Sequence, residues 1–154
     1  MKTVVLITCT KHKHKGIHKA EYIYTKSSNF VKYLECAKQL SEHRDIFVIS
    51  ALHKLVPLDT MIECYDYTLK NKSYEEINSW GKSVAKQLEA LYDLNNTKFI
   101  IIADNDYCLA LKPYLPNIDM PLNGVGCGPD GYNQLDAYVN TFLAKNNTKV
   151  LKGL

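Results

Sequence analysis

The densest group of chemically active side chains is a basic stretch near the N-terminus. It contains Lys11, Lys13, Lys15, Lys19, His12, His14 and His18. Lysines that follow a strand end suit an anionic ligand, phosphate above all, although such a stretch can also be a loop that only faces water. The histidines with Cys9 suggest a transition-metal site. Because the interleaved lysines oppose a dication, we expect no metal, and no other cofactor.

A serine and a histidine lie close together at positions 50 and 53, with aspartates downstream. Such a set suggests a Ser–His–Asp hydrolase, but the GxSxG elbow that would identify one is missing. His53 is therefore either a general acid or base, or a structural residue that forms hydrogen bonds.

Two tyrosines flank a carboxylate at Tyr65, Asp66 and Tyr67. Aromatic rings in this arrangement can stack on a nucleobase while the carboxylate bonds its edge or activates water. The alternative is that the tyrosines pack the loop onto the domain and that Asp66 caps a turn.

Alternate glycines occupy Gly124, Gly126 and Gly128. Their spacing differs from the dinucleotide-binding pattern GxGxxG. They either let the backbone approach a ligand or an anion, or form a turn that needs positive φ. Among the cysteines, only Cys9 lies beside lysines, a setting that activates a thiol; Cys36 and Cys108 are expected in the core.

The elements that must position these groups follow from periodicity. Apolar, β-branched runs predict buried strands at residues 3–8, 45–50 and 98–103, with a short strand at 118–122. Helical spacing predicts helices at residues 28–43, 73–92, 105–111 and about 134–144. Residues 9–20 and 51–72 show no period and are predicted to be loops.

The helix boundaries have local signals. Ser28 is the predicted N-cap of the first helix, and Ser73 with Glu76 forms a capping box for the second. The predicted apolar face of this second helix consists of Ile77, Trp80, Val84, Leu88 and Leu91.

Buried strands that alternate with helices predict a three-layer α/β domain, with a small, mostly parallel central sheet and helices on both faces. A length of 154 residues fits one domain, and its polar tail from Lys145 is expected to fray. Ligands bind such sheets at the carboxyl ends of the strands. Residues 9–15, 50–53 and 104–107 all follow predicted strands, so we expect the site there.

Composition excludes several classes of protein. Five widely spaced cysteines without a CxxC pair argue against a disulfide framework and favour a reducing compartment. No run approaches the about 20 apolar residues of a membrane span, and the N-terminal apolar run is too short for a signal peptide. We expect a cytoplasmic protein that does not enter a membrane. The net charge of +3 permits a nucleic-acid partner without requiring one.

Together these segments resemble a family of small bacterial, archaeal and phage domains of unknown function. The motifs that carry the resemblance are Cys9-x-Lys11-x-Lys13, Tyr24 with Ser27, Ser50-Ala51, Tyr65-Asp66-x-Thr68-Leu69, and Gly124-x-Gly126-x-Gly128 with Gln134-Leu135. The stretch from Ser50 to Tyr65 is also similar to the YaaA peroxide-stress family. This chain departs from the first pattern at Lys54, where a glycine is usual, at Cys64, where a proline is usual, and at Asp104-Asn105, where glycines are expected.

The resemblance implies nucleobase or nucleotide chemistry, because the family occurs in phage genomes and in DNA-modification and defence loci, and is similar to uracil-DNA-glycosylase-like folds. The leading hypothesis is an enzyme that hydrolyses an N-glycosidic bond in a nucleotide or in DNA. Such an enzyme stacks the base on an aromatic ring and activates water. The alternatives are a non-catalytic module that binds a nucleotide or nucleic acid, and an oxidative-stress protein similar to YaaA, in which Cys9 reacts.

The hypothesis assigns a role to each group. Tyr24, Tyr65 or Tyr107 would stack on the base, and Asp66 or Asp104 would orient water. His53 would stabilise the leaving base, and Lys11 and Lys13 would hold phosphate. The remaining predicted substrate contacts are Cys9, Ser27, Ser50, Gly124, Gly126 and Gln134.

Overall fold

A computed structural model of the chain describes residues 1–126 and 128–152, with side chains described up to residue 146. The strands are β1 (Lys2–Thr8), β2 (Ile17–Lys19), β3 (Ile46–Ser50), β4 (Lys54–Pro57), β5 (Met61–Glu63), β6 (Thr97–Ile102) and β7 (Ile118–Asp119). The helices are α1 (Ala20–Ile23), α2 (Ser28–Leu40), α3 (Tyr74–Glu89), α4 (Asn105–Leu111) and α5 (Pro129–Lys152). Single 3₁₀ turns precede β3 and β6, at His43–Asp45 and Leu94–Asn96.

The central sheet has five strands in the order β4-β3-β1-β6-β7. Strands β3, β1, β6 and β7 are parallel, and β4 is antiparallel at one edge. In the register of the sheet, Val5 of β1 pairs with Ile46 of β3 and with Ile100 of β6. A separate antiparallel pair joins β2 to β5. The predicted mostly parallel sheet is therefore confirmed.

Both faces of the sheet are covered, as predicted. Val5 and Ile7 pack into a core that contains Phe30 of α2 and Val139 of α5. The alternate residues of β1, Val4 and Leu6, pack into a second core with α3 and α4. This separation follows from the period of two in a strand, which sends successive side chains to opposite faces.

The order of the strands reverses at β1. The chain leaves β1 through α2 to reach β3 on one side, and returns through β4 and α3 to β6 on the other side. As a result, α2 and α3 lie on opposite faces of the sheet. Such a reversal leaves a crevice outside the carboxyl ends of the two central strands, here β1 and β6, where open α/β sheets bind ligands.

The helices differ from prediction at several boundaries, and α2 ends at Leu40 rather than at residue 43. Ser27, not Ser28, caps α2, and its Oγ accepts a hydrogen bond from the backbone N–H of Phe30 at 3.3 Å. The predicted cap of α3 is confirmed, since Ser73 Oγ accepts from the N–H of Glu76 at 3.1 Å. Leu91 was wrongly placed on the apolar face of that helix, because α3 ends at Glu89 and Leu91 is 59% exposed.

The two predicted loops contain short strands. Strand β2 lies within residues 9–20, and β4 and β5 lie within residues 51–72. Strands of three or four residues are too short to show a period, and Pro57 fits β4 because β4 is an edge strand. Helix α5 begins at Pro129, a residue type favoured at the first helical position, and extends past the predicted end near residue 144. Fraying of its last turns stays a prediction.

No helix in the described part of the chain is long and apolar enough to cross a membrane.

Helices α3 and α4 approach each other closely at Gly81. A Cβ built on Gly81 would lie 2.0 Å from the carbonyl oxygen of Ala110. We therefore expect Gly81→Ala to destabilise the protein by about 1–3 kcal/mol, despite the better helix propensity of alanine. Urea denaturation measures this free energy. Ser79→Ala, at an exposed position of the same helix, serves as the control; equal stability of the two variants would contradict the close contact.

Candidate functional site

A cleft of about 450 Å³ opens at the carboxyl ends of β1 and β6, at the point where the strand order reverses. One wall is the start of the loop after β1, including Thr8, Cys9 and Lys13, and a second is the start of α4, with Asp104 and Tyr107. Two of the three predicted loops therefore meet there. The third wall is formed by residues 66–71, whereas residues 50–53 do not line the cleft.

Lys13 is an almost buried cation at this cleft. Its side chain belongs to a residue that is only 9% exposed, and Nζ donates a hydrogen bond to the carbonyl oxygen of Lys11 at 3.3 Å. The same Nζ lies 4.4 Å from the centroid of the Tyr65 ring, a distance suited to a cation–π contact. Among the described residues, no carboxylate lies within 4.0 Å of this ammonium group. An anion in the cleft would supply the missing charge.

A chain of hydroxyl groups supports the ring beneath Lys13. The hydroxyl of Tyr65 lies 2.7 Å from that of Tyr24 and 2.6 Å from Ser50 Oγ. Trp80 Nε1 fixes the end of β3 by donating to the carbonyl oxygen of Ser50 at 2.9 Å. Burial raises the pKa of both tyrosine hydroxyls, so they stay protonated and act as hydrogen-bonding groups.

Burial contradicts two of the predicted substrate contacts, those of Tyr24 and Ser50, and the predicted stacking role of Tyr107. Tyr24 and Ser50 are fully buried, so the Tyr24 ring offers no face for a base and the Ser50 hydroxyl is occupied by Tyr65. Tyr107 is only 7% exposed, too little for stacking, and it contributes its hydroxyl edge to the cleft. Of the three candidate rings, only Tyr65 is partly exposed.

Cys9 lies on the cleft wall, as predicted. Its Sγ is 3.4 Å from the hydroxyl of Tyr107, and the Tyr107 ring packs edge-on against Trp80 with centroids 5.2 Å apart. Burial raises the pKa of Tyr107 as well. Cys9, Cys36 and Cys64 are not in disulfide bonds, and Cys127 lies outside the described residues. A redox role for Cys9 stays a prediction.

Two of the predicted carboxylates, Asp66 and Asp104, line the cleft. Asp104 is half-buried and caps α4, since its Oδ1 accepts from the backbone N–H of Tyr107 at 3.5 Å. Burial is the largest cause that raises the pKa of Asp104 above its usual range, and it outweighs the hydrogen bond from Tyr107, which lowers it. Asp66 is exposed and belongs to the third wall.

His53 does not line the cleft, which contradicts its predicted position beside a leaving base. Its backbone N–H, not its ring, donates to Ser50 Oγ at 3.0 Å. The exposed imidazole packs edge-on against Tyr65, with centroids 5.0 Å apart. The Ser–His–Asp arrangement considered from sequence is therefore not formed, because the hydroxyl of Ser50 bonds Tyr65 and the backbone of His53 rather than its ring.

The late glycines form a turn. Gly124 and Gly126 have φ of +83° and +79°, and no atom lies within 4 Å of a Cβ built on either, so backbone conformation is what requires glycine there. Gln134 holds this turn by donating from Nε2 to the carbonyl oxygens of Pro121 and Asn123 at 2.7 and 3.2 Å. Neither the two glycines, nor Gln134, nor the cap Ser27 lines the cleft.

Sequence reasoning singled out Asp66 and Tyr67 of the third wall, but not Lys70 or Asn71. It also did not single out Asp106, which lines the cleft at the start of α4. The available signal was the length of the irregular segment, since long connections without regular structure in a compact domain are usually functional.

One cluster of potential metal ligands is present among the described residues, away from the cleft: Glu21, His43 and Asp59. His43 Nε2 lies 3.1 Å from Asp59 Oδ2, whereas Glu21 Oε2 lies 4.0 Å from the other ring nitrogen, Nδ1. Because the carboxylates face opposite nitrogens, the arrangement suits an imidazole that bridges two carboxylates better than a shared ion. In the basic stretch, His14 stacks on Tyr22 with centroids 4.4 Å apart.

The geometry can now be compared with known proteins. The model of a family of unknown function, DUF6884, matches residues 4–134. The chain belongs to this family. The match includes all three walls of the cleft, and the expected membership of a family of unknown function is confirmed at that level. No curated protein and no solved structure matches the chain.

The hydroxyl of Tyr65 should matter for stability as well as for the site. Tyr65→Phe leaves the fully buried Ser50 Oγ and Tyr24 hydroxyl without their shared partner. We expect this variant to lose about 1–3 kcal/mol of unfolding free energy, the usual cost of an unsatisfied buried polar group. Denaturant titration measures the loss. The control is Tyr67→Phe, which removes a hydroxyl from an exposed ring two residues away. A similar loss of unfolding free energy in both variants would contradict a stabilising role for the buried hydroxyls.

Proposed function

We propose that the cleft binds a nucleotide unit and that the protein hydrolyses its N-glycosidic bond. The observation that carries the proposal is the buried Lys13, which has no carboxylate partner among the described residues and lies at a strand-end cleft that also contains Asp66 and Asp104. A volume of about 450 Å³ suits a small molecule of nucleotide size. The sequence likeness to uracil-DNA-glycosylase-like folds motivates the reaction.

The anionic end of the ligand pairs with the lysines. Lys13 supplies a charge that is already desolvated and positioned by the Tyr65 ring, and the exposed Lys11 lies beside it on the same wall. A phosphate bound there replaces water at an ammonium group that otherwise has only a carbonyl oxygen and an aromatic face. Tyr65 itself does not line the cleft, so its contribution is to position Lys13.

The chemical step breaks the C1′–N bond and forms a C1′–O bond to water. Asp104 accepts a proton from the attacking water, and the leaving base takes both electrons of the broken bond. The proton on Asp104 then passes through solvent to the base, so that the free base is neutral and Asp104 is ionised again. A half-buried carboxylate with a raised pKa is a better proton acceptor than one in water. Asp66, on the opposite wall, is placed to bond the base edge or to orient the water. The dispersed cysteines and the nucleotide substrate both favour a cytoplasmic location.

Binding is tested with Lys13→Met, which keeps the length of the side chain and removes its charge. We expect nucleoside monophosphate affinity, measured by calorimetry, to fall by about 10- to 100-fold, the usual range for a charge-assisted hydrogen bond. Thermal stability should stay equal or rise, because a nearly buried charge is removed. Lys15→Met, at an exposed position outside the cleft, is the control. Undiminished affinity of Lys13→Met would overturn the assignment of the anion site.

Catalysis is tested with Asp104→Asn, which retains the helix cap because asparagine caps as well as aspartate. We expect release of free base, measured by chromatography, to fall by about 10²- to 10⁴-fold while binding persists. Because the folded protein raises the Asp104 pKa, ionisation of this group opposes folding above that pKa, so the melting temperature of the variant at neutral pH should equal or exceed that of the wild type.

The same raised pKa sets the acid side of the pH profile. Turnover needs ionised Asp104 and should fall, on acidification, at a higher pH than an exposed aspartate with a pKa of about 3.9 would give. Asp130→Asn, in the exposed first turn of α5, is the control for Asp104→Asn and should keep the wild-type pH profile of turnover. Wild-type protein that binds nucleotides yet releases no base would favour the non-catalytic binding module instead.

A further inference from the structure

A second concave surface adjoins the cleft. It is an open groove of about 480 Å³ between the turn after β3 and the start of α3, and its lining includes Leu52, Lys54, Lys72 and Trp80. Tyr67 and Leu69 line both the cleft and the groove. The buried Leu69 anchors the segment between them, so the two surfaces are neighbours across a single stretch of chain.

The groove carries an exposed aromatic ring with a cation on it. Tyr67 is 40% exposed, and Lys72 Nζ lies 4.4 Å from the centroid of its ring. Leu52, on the other side of the groove, is 44% exposed. An exposed ring next to lysines is the combination that proteins use to stack the bases of a single strand while binding its backbone.

The charges of the groove restrict the path of such a strand. Glu75 and Glu76 line it at the start of α3 and repel phosphate there. Lys54 and Lys72 therefore have to supply the backbone contacts. Lys54 has a φ of 65°, in the left-handed region that glycine adopts more readily, and its side chain is exposed at the turn after β3.

We propose that the substrate is a single-stranded nucleic acid, with the reacting nucleotide in the cleft and its neighbour stacked on Tyr67 in the groove. The inference rests on the proposed function and names its substrate class. A free mononucleotide would fill the cleft and leave the groove unused. A duplex keeps its bases paired and stacked, so neither Tyr67 nor the cleft can reach them without extrusion of the base.

The test compares ligands of different length on the full chain. Binding of a DNA pentanucleotide, the matched 5′-mononucleotide and a duplex of the same sequence is measured by calorimetry at two salt concentrations. We expect the pentanucleotide to bind about tenfold more tightly than the mononucleotide or more, with an affinity that falls as salt rises. A matched RNA pentanucleotide identifies which type of single strand is preferred.

The deciding variant is Lys54→Met with Lys72→Met, because both lysines line the groove and neither lines the cleft. It should lose most of the advantage of the pentanucleotide and keep the mononucleotide affinity. Lys82→Met with Lys86→Met, two exposed lysines on α3 outside the groove, is the matched control and should bind both ligands like the wild type. Circular dichroism confirms that both double variants are folded.

The outcomes separate the two proposals. Equal binding of mononucleotide and pentanucleotide, unchanged in the groove variant, would overturn the single-strand substrate and leave the nucleotide site intact. Equal binding of duplex and single strand would also overturn it. Absence of binding by every nucleotide and oligonucleotide would overturn the proposed function itself, and the inference with it.

Discussion

The structure depends on one topological constraint, the reversal of strand order at β1. This strand is buried on both faces, with Val4, Val5, Leu6 and Ile7 all fully inaccessible to solvent. Because the chain crosses one face through α2 and the other through α3, the carboxyl ends of β1 and of its neighbour β6 open into the cleft. The cleft is therefore a consequence of burying β1, and the loops that follow these two strands only have to furnish its walls.

The third wall has no regular structure, so side chains must hold it. Tyr65 bonds Ser50 at the end of β3 and Tyr24 in the core, and the buried Leu69 anchors the other end of the segment. The Tyr65 ring also contacts the ammonium group of Lys13. One residue therefore supports both the wall and the cation, which couples the stability of this loop to the electrostatics of the cleft. A change at Tyr65 would disturb both together.

The sequence predicted the parts of this arrangement that depend on long apolar patterns. Strands β1, β3 and β6 are runs of β-branched residues, and the rule for parallel sheets then places a site at their carboxyl ends. The fate of individual polar side chains was not predictable, because residue type does not reveal burial. Ser50, Tyr24 and Ser27 are hydrogen-bonding residues in any setting. Only the fold shows that the first two bond the hydroxyl of Tyr65 and that Ser27 caps a helix. The predicted position of His53 was wrong for the same reason, since residue type does not show that its ring packs against Tyr65 outside the cleft.

The mixture of charges in the cleft is the reason to propose catalysis rather than simple binding. A module that only gripped a phosphate would be served by Lys11 and Lys13 and weakened by carboxylates nearby. Yet Asp66, Asp104 and Asp106 line the same cleft, and Asp104 is half-buried, where its negative charge is disfavoured. The positive charge of Lys70 lowers the pKa of Asp104, and the negative charge of Asp106 raises it. A half-buried carboxylate in the same cleft as an almost buried lysine is what the proposed reaction requires, since it has to move a proton near a bound anion.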